Sequence, residues 1–213
     1  MEFDQLVQLP ESARDEAWER RFLDAILQMR VDVLNNGETV RGPDGWPYLS
    51  VKTGGEGEEE FSKVVRWLAG RGIGLVVNSF KMVPDYVFTY GMIWNFVETG
   101  RFITPWEVPL PGEVHLAPES RPLIGPPTEK YLPSYVRSIL RELLGQQGFS
   151  KPLILVATTG DFKVQDLLLA RESVGSLSAT EQRDLAEALS WFLPLHYSLV
   201  FVDKKEFSGW IEL

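Results

Sequence analysis

The chain has 213 residues, a formal net charge of −9 and no cysteine; 44% of it is hydrophobic and 12% aromatic, with seven Trp. That apolar supply can build one large folded unit or two small ones, and the missing thiols exclude disulfides, thiolate catalysis, iron–sulfur clusters and Cys-based zinc sites. Lys and Arg do not cluster, which excludes a nucleic-acid footprint, and no run approaches 18 uninterrupted apolar residues, which excludes a transmembrane helix.

The acidic start MEFDQLVQLPESARDE lacks the apolar core of a signal peptide, so a cytoplasmic location is expected. Ser12 opens the first predicted helix, with Asp15 three residues on as an imperfect capping box. Trp18, Phe22, Ile26, Met29 and Val33 recur every three or four residues, and that stripe predicts one helix running to the Asn36-Gly37 stop. Pro43-Asp44-Gly45 is a turn. The run from Trp46 to Val51 reads as a short strand that Pro47 places near an edge or a strand start. After an acidic glycine loop, Glu58, Glu59 and Glu60 suit the positive end of a helix whose apolar face is Phe61, Val64, Val65 and Leu68. Residues 73–77 read as a buried strand, and 86–90 as another because aromatics alternate there with Val and Thr. Ile93, Trp94 and Val97 predict a short helix over 91–100.

Eight of the fourteen prolines fall between Pro105 and Pro133. That density forbids long helices and central strands, and the segment reads as a connection carrying one edge strand over 113–117. Beyond it, Val136, Ile139, Leu140 and Leu143 predict a helix ended by Gly145. Strands are expected over 153–158, 166–172 and 199–202. Ser178 and Glu181 form a capping box for a helix lined by Leu185, Leu189 and Phe192.

Chemistry is sparse. His115 and His196 are the two histidines, with no second His near either and no HExxH. His196, with Tyr197 beside it, could act as a general acid or base in a cleft, although a hydrogen-bonded turn histidine accounts for it more simply. Asp161, in the Thr158-Thr159-Gly160-Asp161 turn after an apolar strand, could face an anion or a metal, but turn chemistry explains it equally well. The glycines at 70, 72 and 74 precede their strand, whereas a dinucleotide loop follows its strand. The acids at 56–60 lack the alternate spacing of a calcium loop. No cofactor or metal is expected. Among the many aromatics, Trp106 and Trp210 lie in irregular polar contexts and are the candidates for exposure; with Tyr197 they make up the expected binding surface.

The segments Phe22-Leu23-Asp24-Ala25-Ile26-Leu27, Trp46-Pro47-Tyr48-Leu49, 135–144 and 153–156 together resemble, in hydrophobic pattern, the bacterial enhanced serine sensitivity (SseB-type) family. The resemblance implies a bacterial accessory or interaction role without enzymatic activity, and it assigns no functional residue.

The sequence therefore predicts an α+β protein. Two small modules, 1–104 and 130–213, each pack helices on a mixed or antiparallel sheet, and the proline-rich segment 105–129 joins them or sits within one continuous core. The expected role is a non-catalytic protein-binding or adaptor module, with another protein as partner and no membrane partner. The alternatives are a hydrolase-like enzyme using Asp or Glu with His196, and a structural subunit of a homo-oligomer.

Overall fold

In the computed structural model, which describes residues 3–105, 122–158 and 165–213, the chain divides into two units, Met1–Phe102 and Ile103–Leu213. Each unit sets helices beside a mixed sheet, so the α+β class holds. No described helix is long and apolar enough to cross a membrane.

The first unit begins with α1 (Phe3–Val7) and α2 (Glu16–Ile26). Asp15, rather than Ser12, is the N-cap of α2: its carboxylate accepts the Trp18 amide at 2.7 Å. The helix also stops seven residues before Val33, because residues 30–33 form β1 (Arg30–Val33). The three-to-four spacing that extended the stripe to Met29 and Val33 competes there with Val31 and Val33. These β-branched residues two apart gain sheet partners: Val31 pairs with Glu59, and Val33 with Val51.

The remaining elements are β2 (Val40–Arg41), β3 (Pro47–Lys52), β4 (Glu59–Glu60), α3 (Phe61–Leu68), β5 (Gly74–Val77), β6 (Tyr86–Phe88) and α4 (Tyr90–Thr99). The strand order is β4-β1-β3-β5-β6, with β2 beside β3. Pro47 is the first residue of β3, where its missing N–H does least harm. β3 and β5 run parallel and are linked through α3, with Leu49 opposite Leu75 and Val51 opposite Val77. Strand alternation puts those four side chains on one face, together with Tyr86 and Phe88, their partners on β6. Phe22 of α2 stacks on Tyr86 at 5.0 Å, and Phe61 of α3 meets Phe88 at 5.5 Å. Large aromatic area removed from water on that face is the main force holding these helices to the sheet. Gly74 is required by packing: a Cβ there would stand 2.6 Å from the Tyr48 ring and 2.9 Å from the Phe88 carbonyl. α4 ends at Gly100 in the left-handed region, φ 77°, as a C-terminal glycine permits.

The second unit contains β7 (Leu123–Gly125), α5 (Ser134–Gln146), β8 (Leu153–Thr158), β9 (Gln165–Ala170), α6 (Ala179–Ser190), β10 (Ser198–Val202) and β11 (Ile211–Glu212). The order is β10-β9-β8-β11, with β7 beside β8. β7 lies inside the segment read as a connection, yet it pairs with β8 from Leu123–Thr158 to Gly125–Val156. The strand expected over 113–117 lies outside the described residues. β9 and β10 are parallel and linked through α6, whose capping box forms as expected: Ser178 Oγ accepts the Glu181 amide, and the Glu181 carboxylate accepts the Ser178 amide at 2.7 Å. The carboxyl of Glu181 is held below its usual range by these bonds, first the one from the Ser178 backbone.

Candidate functional site

Of the residues singled out from the sequence, Trp106 and Asp161 lie outside the described residues, as does His115. Trp210 is half-buried, and its indole N–H is directed at the carbonyls of Lys204 and Phe207, both at 3.0 Å. Tyr197 is half-buried too: its ring stacks on Tyr131 at 4.4 Å and 10°, and its hydroxyl donates to the Tyr131 carbonyl. His196 meets Tyr197 edge-on at 4.8 Å. Burial pulls its imidazole below the ordinary value, and its Nδ1 has no hydrogen-bond partner among the described residues. Nearby, Ser198 donates to Asp166, its register partner across the β9–β10 pair. Burial, then the neighbouring Tyr197 and Asp166, push the Tyr131 hydroxyl well above its usual value. The described residues thus bring His196, Tyr197, Tyr131, Ser198 and Asp166 to one end of the parallel pair, where most of their polar atoms bond to one another and to the backbone.

A cavity of about 430 Å³ in the first unit is lined by Leu27, Met29 and Phe96 together with Arg30, Glu60 and Ser62. Its charged residues already have partners in the chain. Arg30 donates to the carbonyls of Gly57, at 3.0 Å, and Glu58, while Glu60 is 2.9 Å from Lys63. Among the described residues no group of three or more His, Asp and Glu could hold a metal ion.

The feature that sequence reasoning missed lies at the C-terminal ends of the parallel strands β3 and β5. Thr53, Asn78 and Asp85 are polar and buried there. Asn78 sits in the left-handed region at φ 55°, which Asn tolerates better than most residues. Its side chain spans the two strand ends: Oδ1 accepts the Thr53 amide at 2.9 Å, and Nδ2 donates to Thr53 Oγ1 at 2.7 Å and to Asp85 Oδ2 at 2.6 Å. Asp85, 3% exposed, also accepts from Lys81 Nζ at 2.6 Å and from Arg14 Nη2 at 3.4 Å. Arg14 in turn donates to the backbone carbonyls of Asp85, Leu9 and Val7. Buried polar groups are tolerated when satisfied in this way.

This clasp closes the loop 79–84 at its base. The Asp85 amide donates to Val77 O at 3.0 Å, and the Lys81 amide to Asn78 O at 3.1 Å. Apart from Lys81, the exposed side chains of the loop are apolar: Phe80 is 62% exposed, Val83 54%, and Met82 fully exposed, and Val87 of the edge strand β6 is exposed as well. Isolated exposed hydrophobics are ordinary; three on one loop tied down by a buried ion cluster, with a fourth on the strand that follows, are not. The sequence did hold a signal: Phe80, Met82 and Val83 lie between two strands in a segment too short for a helix and ended by Pro84, so neither period could bury them.

Compared with known proteins, the chain matches no family model, no curated protein and no solved structure.

Proposed function

We propose that the chain is a cytoplasmic, non-catalytic protein-binding or adaptor module that engages its partner through the loop 79–84 and Val87. The observation that carries this reading is the pairing of an exposed Phe80–Met82–Val83 tip with a buried Thr53–Asn78–Asp85 base. Presenting apolar area to water is unfavourable in the free chain and is recovered when a partner covers it. Anchoring both ends of the loop before binding reduces the ordering entropy that association must overcome. Met adapts to irregular pockets and aromatic anchors dominate interface energetics, so Met82 and Phe80 are the expected hot spots. The hydrophobic-pattern resemblance to the SseB-type family supports an accessory role in a bacterium.

The double variant Phe80→Asp/Met82→Asp tests the reading. Both side chains already face water, so its unfolding free energy should stay within about 0.5 kcal/mol of the parent. In extract of the native host, the parent chain should elute in a complex larger than its 24.2 kDa, and the variant at its own size. A variant that stays in the same complex rules the loop out.

A further inference from the structure

Resting on that docking reading, we propose that the partner surface is an apolar pocket with an acidic rim, positioned to meet Lys81. The clasp holds two cations, Arg14 and Lys81, against the single carboxylate of Asp85. The carboxylate is sealed inside, while the Lys81 side chain reaches solvent. Residues 79–84, Ser-Phe-Lys-Met-Val-Pro, contain no acid, although acids outnumber bases 30 to 21 in the chain. What a partner meets on this loop is therefore three exposed apolar side chains and the solvent-facing part of Lys81, whose ammonium is 2.6 Å from Asp85. A pocket that buries Phe80 and Met82 must bring its rim against Lys81. An opposing Lys or Arg there would leave two like charges in a partly desolvated contact, whereas an Asp or Glu completes the pair that Asp85 leaves half-exposed. Apolar tips beside a lysine also suit a lipid surface, but a chain of net charge −9 is repelled by an anionic bilayer, and one lysine does little against that. A protein pocket needs to match the charge only locally.

The test places the photo-crosslinking residue p-benzoylphenylalanine at position 82 of the full chain in native-host extract, identifies the crosslinked partner peptide by mass spectrometry, and repeats the reaction between 50 and 500 mM salt. Adding anionic phosphatidylglycerol vesicles forms a separate arm. The expected result is one discrete protein adduct whose contact peptide carries Asp or Glu beside apolar residues. Its yield should fall about fivefold across the salt range, as screening of a single partly exposed pair implies. The Lys81→Met variant should lose most of that salt response, and the salt series on the unmodified lysine provides the same reading if the variant folds poorly. A discrete adduct with a basic contact peptide, or one indifferent to salt, overturns the acidic rim and leaves the docking loop standing. Adducts to the vesicles alone, or none at all, overturn both.

Discussion

The two units place polar residues at the same topological position and use them oppositely. In each, two parallel strands joined through a helix end side by side: β3 and β5 at Thr53 and Asn78, β9 and β10 at Arg171 and Asp203. At the first pair the polar side chains are sealed from water, and Asn78 bonds to Thr53 and Asp85 at 2.6–2.9 Å. At the second, Arg171 and Asp203 meet at 3.0 Å with side chains 46% and 33% exposed, and Glu172 accepts the Lys204 amide at 2.8 Å. Access of water decides what each cluster contributes. An exposed pair exchanges one solvated state for another and gains little. A buried cluster must remain complete, because any group left over has no water to turn to. The first arrangement can therefore hold an apolar loop in place, and the second mainly ties two strand ends together.

The largest expected effect comes from Asp85→Ala. Arg14 keeps its carbonyl acceptors and Lys81 can swing outward, so the loss should fall near the lower end for a broken buried pair, about 3 kcal/mol. Urea unfolding measures it, and amide exchange at Thr53 and Asn78 should accelerate with it. A loss below about 1 kcal/mol would place this cluster in the same class as the surface pair and erase the contrast.

Asn78 sharpens the comparison, because it combines satisfied polar atoms with a left-handed backbone. Asn78→Ala removes the bonds to Thr53 and Asp85 and leaves a φ of 55° that Ala adopts poorly, for a cost of about 2–3 kcal/mol. Asn78→Gly removes the same bonds without the backbone strain, and should be milder by about 1 kcal/mol. Equal losses in the two variants would mean that the backbone conformation contributes nothing.

Much of this fold could be read from periodicity, and the reasons differ by region. α6 was visible because its signal is local: Ser178 and Glu181 lie three apart and bond to each other. β5 and β8 were visible as apolar runs bounded by turns. The boundary between α2 and β1 was not, since Met29 and Val33 satisfy a helical spacing while Val31 and Val33 satisfy a strand, and pairing with Val51 and Glu59 decides between them. The clasp was invisible for a stronger reason. Arg14 and Asp85 are 71 positions apart and Thr53 and Asn78 25, and nothing local marks either pair. An irregular context likewise gave no local sign that the Trp210 N–H turns back onto the Lys204 and Phe207 carbonyls.

His196 offers a smaller contrast, confined to a window of pH. Its imidazole titrates below the ordinary 6.5 because burial penalises the charged form. The unfolded chain therefore binds a proton at a pH where the folded chain does not. The contribution of this residue is complete above the unfolded value of about 6.5 and is lost as pH falls through the lower folded value. Thermal melts between pH 7.5 and 5 should show the midpoint of the parent falling on the acid side. His196→Gln should flatten that slope while leaving the Asp85 effect unchanged. Parallel curves for parent and variant would show that the ring is equally solvated in both states.

Arg171→Ala should be the smallest effect, and that is its value. Removing the guanidinium breaks the bond to Asp203 and the one to Phe201 O at 3.2 Å. Both strand ends remain open to water, and Lys205 stays 3.8 Å from Asp203 as an alternative cation. A loss of about 0–1 kcal/mol is expected, shrinking further in 0.5 M salt. If the loss approached that of Asp85→Ala and ignored salt, exposure would not be what separates the two strand ends, and the source of the difference would have to be sought in backbone geometry, where Asn78 is left-handed and Asp203 is extended at φ −71°, ψ 132°.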